Sequence, residues 1–464
     1  MKRVSTHPTS SQSVPPPPDE PSAPDGPSAP GRPSAAVTAE TAAPGRWQRL
    51  RRSAFADLSP LREHPDYRRL WTGQAVSAIG QQMTAVAVSV QVFQLTESTF
   101  ATGLVGLFSL VPLVVLGLFG GAIADTVDRR LLGLFGSAGL AVTSAVLAVQ
   151  ALLDLRSVPL LYAMVAVQAG FFALSSPARS AMIPRLVPSH QLPAANALGS
   201  MSMNLGTTVG PLVGGLLIGT LGVQSAYLVD TVAFSGVLYA MWRLPAMLPG
   251  DGTTASGTAK KRASVLDGLR FLRSRPNLRT SFVADLIAMI LASPRALFPA
   301  IAVGVYHGGP GTVGLLVTAA AAGALTGALF SGWVSRVHRH GTAIIAGVAA
   351  WGLAIAAFGL TTHLWLGLLA LAAAGAADSV SMIFRNTILQ VGAPDDMRGR
   401  LQGVFIVVVA GGPRLGDFFA GTTASLTSTT TALLIGGLAC IAAVLLLAAL
   451  RPAFLHYDAR HPTP

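Results

Sequence analysis

One cysteine stands in 464 residues, and Cys440 lies inside an apolar run, so the chain holds no disulfide framework and no cysteine-based metal site. Charge is equally scarce. Asp, Glu, Lys and Arg make up 11% of the chain against 51% hydrophobic residues, and the mean hydropathy of +0.57 lies far above that of a soluble chain of this length. The phosphate loop G-x-x-x-x-G-K-S/T, the zinc helix H-E-x-x-H and the nucleophile elbow G-x-S-x-G are missing, so nothing supports soluble-enzyme chemistry. His307 and His363 fall in loops on the side opposite the basic segments and read as surface residues rather than ligands.

What the chain does have is a rhythm. Arg69 and Arg129 bracket two long apolar runs with only Glu97 charged between them, and basic segments return at Arg179 to Arg185, Arg243 to Arg279, Arg336 to Arg339, Arg385 to Arg400 and from Arg451 onward. Each is about two spans from the last. Loops kept in the cytoplasm carry the Lys/Arg excess, so the pattern predicts an all-α polytopic protein of the plasma (cytoplasmic) membrane. Twelve transmembrane helices are expected, with both termini cytoplasmic. A span needs about 20 mostly apolar residues, and the chain has room for twelve plus a tail and one long central loop. The net charge of +12 and pI near 10.9 sit in short loops beside apolar spans. They predict contact with the lipid bilayer and no nucleic acid.

The expected spans are 69–94, 100–124, 131–153, 158–178, 194–220 and 223–243, then 280–305, 311–334, 342–361, 364–384, 400–425 and 430–450. Residues 1–46, rich in Pro, Ser, Ala and Gly, read as a disordered cytoplasmic tail without the apolar core of a signal peptide. Residues 47–69 suit a short interfacial helix, and 47–243 form a first six-helix half. The basic linker 244–279 carries Val265, Leu266, Leu269 and Leu272 at helical spacing, which suits a helix lying flat on the inner leaflet. A second six-helix half occupies 280–450, and 451–464 is a second cytoplasmic tail. A shift of 206 residues superimposes Arg179 on Arg385, Pro188 on Pro394, Gly206 on Gly412, Gly210 on Gly416 and Gly215 on Gly421. The halves therefore read as two parallel repeats with a substrate cavity between them.

Two motifs carry a resemblance. After the second span the chain reads Gly-Ala-Ile-Ala-Asp-Thr-Val-Asp-Arg-Arg, and in the fifth Gly206, Gly210 and Gly214 lie on one face beside Pro211 and Gly215. Small residues let helices approach closely, and Pro211 removes a backbone donor. The loop resembles the signature G-x-x-x-D-R/K-x-G-R/K-R/K of the major facilitator superfamily through Gly121, Asp125, Arg129 and Arg130. Thr126 and Asp128 replace its basic residue and glycine. A degraded second copy runs from Gly332 to Gly341, with Ser335 in place of the acid. The fifth-span motif resembles that of superfamily exporters that exchange substrate for protons. The segments Ser293 to Phe298, Val407 to Asp417, Pro177 to Pro188 and Asn196 to Gly215 resemble the enterobactin-exporter-like branch. This resemblance implies a major facilitator fold and export of a siderophore or a similar bulky amphipathic compound.

Charged groups inside spans are the sharpest local clues. An ionisable side chain at the membrane centre costs about 2.5–3.5 kcal/mol on insertion scales, so it faces a partner or a wet cavity. Asp230, Arg295, Asp378, Arg414 and Asp417 are such groups, and Asp285 lies nearer the inner boundary. Arg414 and Asp417 share a helix face and are placed to pair directly, and Arg295 and Asp378 to pair across the second half. Two readings stay open. Asp417, then Asp378 or Asp230, titrates the coupled proton while Arg295 or Arg414 stabilises it or binds an anionic substrate; alternatively these are fixed interhelical ion pairs. Gln74, Gln81, Gln82, Gln168 and Asn204 are weaker candidates for lining the cavity.

Together these features predict a monomeric, proton-coupled efflux transporter of a small molecule, working by alternating access with the proton gradient in place of any cofactor. The rival readings are an uptake permease on the same fold and a non-transporting receptor or scaffold.

Overall fold

In the computed structural model, residues 57–124, 127–247, 265–392 and 398–458 are described, and among them every regular element is helical. The long helices of the first half are α1 (Pro65–Thr96), α2 (Thr99–Ala124), α3 (Arg129–Leu152), α4 (Val158–Leu186), α5 (Leu192–Leu221) and α6 (Val223–Trp242). A linker helix α7 (Val265–Ser274) follows. The second half contains α8 (Pro276–Leu291), α9 (Phe298–Gly304), α10 (Pro310–Leu329), α11 (His340–Gly359), α12 (Leu364–Gly392), α13 (Arg398–Leu426) and α14 (Thr429–Leu450).

Among the described residues ten spans are long and apolar enough to cross a membrane, with α8 and α9 together forming one of them. Two further long helices, α6 and α13, stand at the expected sixth and eleventh spans. Expected ends shift by a few residues. The seventh span starts at Pro276, and α1 begins at Pro65, taking up part of the expected interfacial helix, of which a short turn at Ser59–Glu63 remains. The signature residue Asp125 lies outside the described residues, as do the expected tail 1–46 and residues 248–264 of the linker.

Local chemistry sets the ends. Ser157 and Ser428 cap α4 and α14 by accepting from the backbone N–H of Leu160 and Thr431, and Asp128 accepts from Arg130 N–H at the start of α3. Gly222 takes a φ of +84° where α5 reverses into α6. Such tight reversals keep consecutive helices antiparallel.

The packing obeys one scheme twice. In the first bundle α1 packs on α5 and α6, α3 on α4 and α6, and α2 on α4. In the second, α8 packs on α13 and α14, α11 on α12 and α14, and α10 on α12. The glycines related by the 206-residue shift do equivalent work. A Cβ on Gly210 would meet Gln82 and Ile79 of α1, and one on Gly416 would meet Met289 and Ser293 beside α8. Gly215 abuts Gly314 of α10, and Gly421 abuts Gly103 of α2. The halves are parallel repeats that touch through α2 against α13 and α5 against α10.

Those two seams close at one end. Thr99 Oγ1 donates to Gly421 O at 3.1 Å and Gly215 abuts Pro310 O there, while Thr318 Oγ1 donates to Thr208 O at 3.1 Å midway along the α5–α10 seam. Toward the end that carries α7, Met201, Met203 and Leu205 of α5 and Leu325, Leu329 and Phe330 beyond the seam of α10 are exposed.

The first part of the expected second tail, 451–464, packs against the second bundle. Pro452–Leu455 forms a helical turn, Phe454 and Tyr457 are buried, and Tyr457 O accepts from His340 N–H at 3.0 Å. Burial and the adjacent Asp458 charge push the Tyr457 hydroxyl above its ordinary value, which keeps it neutral. The chain after α6 does the same in the first bundle, where Met247 O accepts from Arg129 N–H at 3.3 Å.

Candidate substrate and proton-coupling site

The seventh span is not one helix. α8 stops at Leu291, a single 3-10 turn covers Arg295–Leu297, and α9 resumes at Phe298. The cause is the sequence Ser293-Pro294: proline lacks the N–H and disfavours helical geometry in the residue before it. Other span prolines, Pro112, Pro177, Pro184, Pro211 and Pro413, sit inside continuous helices. At Pro294 the break persists because neighbours satisfy the backbone it frees. Asp417 on α13 accepts from Ser293 Oγ at 2.9 Å and faces the N–H of Ala296, and Trp351 Nε1 on α11 donates to Ala292 O at 3.2 Å.

This arrangement corrects the expected pairing of Arg414 with Asp417. Arg414 instead donates from Nε to Ser109 Oγ on α2 at 2.9 Å and to Ala410 O of its own helix. A cation of the second bundle is thereby anchored to the first.

Arg295 and Asp378 do not form the expected direct pair either. Asp378 binds Arg385 at 3.0 Å, seven residues along α12, and Arg385 also pairs with Asp285 of α8. Arg385 is 6% exposed and Asp285 4%, so one guanidinium is shared by two carboxylates in the interior. Arg295 at the break is exposed, and its charge acts through space on Asp378, Asp417 and Arg414. Among the described residues it has no ion pair.

Asp230 lies elsewhere, at 0% exposure inside the first bundle. Thr84 and Ser144 donate hydroxyls to its Oδ2 at 2.9 and 2.7 Å, and Gln168 Nε2 reaches Ser144 at 3.4 Å. Its Oδ1 has no partner and faces Gly80, where a Cβ would come within 2.5 Å of it. No cation pairs with it among the described residues. The same interior holds Gln91, which accepts from Tyr227 Oη at 2.8 Å and Gln150 Nε2 at 2.9 Å. Gln74 keeps a buried Nε2 without a partner, Gln81 donates to Ser77 O of its own helix, and Asn204 is exposed on α5. Gln82 packs its Cβ against Gly210.

The glycine motif of α5 faces two ways. Gly206, Gly210 and Gly214 fit against Ala78, Gln82 and Met83 of α1, whereas Gly215 faces α10, and Pro211 O lies against Gly314. In the signature loop, Arg129 donates to Ala181 O at 3.1 Å, and Arg130 to Met241 O at 3.1 Å and Trp242 O at 2.5 Å. These arginines cap the carbonyl ends of α6 and tie into α4. Asp128, in place of the usual glycine, accepts from Met247 N–H at 3.2 Å. Gly121 falls within the last turns of α2. His307 and His363 are exposed, as expected.

Sequence reasoning does not single out Arg385, Asp285, Ser109, Ser293 or the Gln91 network as site residues. The Ser293-Pro294 pair inside an expected span is the available signal for the break. Arg385 enters the sequence reading only as a repeat marker and as the start of a basic segment.

Two parallel helical repeats, with charged groups at a broken helix and at the seams, define the major facilitator fold. The transmembrane secretion effector family profile matches residues 55–461, and the chain belongs to that family. It is 28% identical over 415 residues to the enterobactin exporter EntS of Citrobacter koseri, spanning 89% of this chain and 98% of the relative. To the EntS of Shigella boydii it is 30% identical over 400 residues, spanning 86% and 95%. Among solved structures, a bacterial homologue of the human lysosomal transporter Spinster superposes with a TM-score of 0.67 at 17% identity, covering 87% of this chain and 98% of that one. The nucleoside transporter NupG superposes at 0.66 with 13% identity, covering 85% and 100%. The chain is an enterobactin-exporter-like member of the superfamily, a multi-pass membrane transport protein.

Proposed function

We propose that this protein exports a siderophore, or a similar bulky amphipathic metabolite, across the plasma membrane in exchange for protons, by rocking its two bundles about the α9 break. The observation that carries the reading is Asp417, which accepts from Ser293 Oγ at the broken helix and sits within the field of Arg295, a cation without an ion pair among the described residues. A carboxylate accepts that hydrogen bond and attracts the N–H of Ala296 beside it. Once protonated, one of its oxygens becomes a donor and no longer complements a backbone N–H. Protonation therefore loosens the α8–α9 joint beside the seam where Arg414 grips Ser109. Arg295 offers a planar fork of donors to the oxygens of an anionic substrate, as guanidinium groups do for carboxylates and phosphates. A substrate anion at Arg295 and the charge on Asp417 or Asp378 then compete for one cation, which couples the two fluxes.

An α5–α10 seam in contact toward the Gly222 end and exposed toward the α7 end suits a state open to the cytoplasm, given a linker held on that side by its arginines and lysines. The twelve-crossing topology, with both termini inside, completes this reading. The names of the EntS relatives favour export over uptake. Inside-out vesicles with labelled siderophore supplied outside should accumulate it only while a proton gradient is maintained. Accumulation that persists after the gradient is collapsed would refute proton coupling. Accumulation confined to right-side-out vesicles would instead identify a permease.

A further inference from the structure

A groove of about 600 Å³ runs along the flank of the first bundle between α1 and α6, away from every group assigned to transport above. Its floor and walls are Gly73, Val76, Leu228, Val232, Ala233 and Gly236. Val232 is 71% exposed and Val76 54%, so the groove opens sideways, where the bilayer lies. α6 packs only on α1, α3 and α5 among the stronger helix contacts, all within its own bundle. A Cβ on Gly236 would meet nothing within 4 Å, so the wall there is thinned by the missing side chain rather than filled by a neighbour.

One end of the groove is charged. Arg69 and Tyr239 line it, and the Arg243 guanidinium lies 5.5 Å from the centre of the Tyr239 ring and 5.6 Å from that of exposed Trp242. Arg69 gives one nitrogen to Asp66 at 2.8 Å and keeps its remaining donors, while Arg243 has no carboxylate partner among the described residues. Aromatic rings beside arginines are the side chains that settle at the headgroup level of a bilayer. From Leu228 to Ala240 the lining of α6 extends about 18 Å at 1.5 Å per residue, close to the ~15 Å of one hydrocarbon leaflet.

We propose that this groove binds one anionic phospholipid, its acyl chain lying along Gly73, Val232 and Gly236 and its phosphate seated between Arg69 and Arg243. An apolar trough of leaflet length with two guanidinium groups at its headgroup end matches that molecule in shape and charge. A zwitterionic lipid matches the trough but adds a cation beside the arginines. The site is independent of the transport reading, since it requires only that the helices stand in a bilayer.

The test compares phosphatidylglycerol with phosphatidylcholine of the same chains, each added to the full-length protein purified in detergent, by native mass spectrometry. The wild type should retain phosphatidylglycerol about fivefold better for each arginine engaged, the ratio equivalent to roughly 1 kcal/mol. Arg69→Ala with Arg243→Ala should erase the preference, and Gly236→Leu should release both lipids. A photoactivatable phosphatidylglycerol should crosslink to α1 and α6 near Val232. Equal retention of the two lipids by the wild type overturns the proposal, as do crosslinks confined to other helices or a preference that survives the double substitution. The wild-type comparison and crosslinking need no variant, so the proposal stays open to refutation even where a substituted protein fails to fold.

Discussion

At the level of single residues, the decisive contrast is between charges that hold structure and charges left available. Arg385 stands between Asp285 and Asp378, and removing one member of a buried ion cluster strands the others. Arg385→Ala should cost roughly 3–5 kcal/mol of stability, visible as a large drop in the detergent melting temperature. Asp417 has a different duty. Asp417→Asn keeps one acceptor oxygen for Ser293 but cannot gain or lose a proton, so it should insert normally and lose at least about tenfold in gradient-driven export, with downhill substrate exchange retained. Unchanged uphill export by that variant would remove Asp417 from the coupling path. Asp230 presents neither feature. With hydroxyl donors on one oxygen and none on the other, it suits a packing role, and Asp230→Asn should shift stability by no more than about 1 kcal/mol while transport is preserved. A large loss of flux from that substitution would restore it to the proton pathway.

At the level of elements, what is legible in the sequence follows from periodicity and what is not follows from contacts. The long helices are readable because apolar runs between basic loops report membrane crossing directly. The stripe of Gly206, Gly210 and Gly214 is readable as a tight contact because spacing of four places small residues on one face. Its partner helix is not, since a glycine says that something comes close without saying what. The break at Ser293-Pro294 escapes sequence reasoning because five other prolines in spans leave their helices intact, and only Asp417 and Trp351, distant in sequence, sustain this one. The corrected pairings share that origin. Arg414 and Asp417 lie three apart on a helix, yet each finds a better partner across a helix contact, Ser109 for one and Ser293 for the other. Packing at α5 also carries a prediction. A leucine at Gly210 would drive its Cβ to 2.7 Å from Gln82 Cβ and 2.8 Å from Ile79 O. Gly210→Leu should therefore destabilise the protein by roughly 1–3 kcal/mol or more, read as a lowered melting temperature, whereas Gly199→Leu, with open space around it, should leave it unchanged.

At the level of the whole molecule, two bundles of one design meet along α2 with α13 and α5 with α10, and transport by rocking requires one of those seams to part. Gly215 and Pro310 mark the closed end of the α5–α10 seam, and Thr208 and Thr318 meet midway along it. In a Cys440→Ala background, which removes the chain's own thiol, Thr208→Cys with Thr318→Cys should crosslink on oxidation and abolish export, and a reductant should restore it. Export that continues through the crosslinked protein would show that this seam never parts. The duplication is visible in the sequence through Arg179 and Arg385 as much as through glycines. These two arginines have since diverged, one lying over Phe172 and the other locked between carboxylates. Charge has been concentrated in the second bundle, and the first retains neutral amides and hydroxyls around Asp230.

The backbone bridges from Met247 to Arg129 and from Tyr457 to His340 give each bundle its own buckle, fastened by the stretch of chain that leaves it. A half-molecule ending just past Met247 would therefore still carry its fastening, and so would the complementary half through Asp458. A gene split between codons 247 and 265 should yield two polypeptides that find each other in the bilayer.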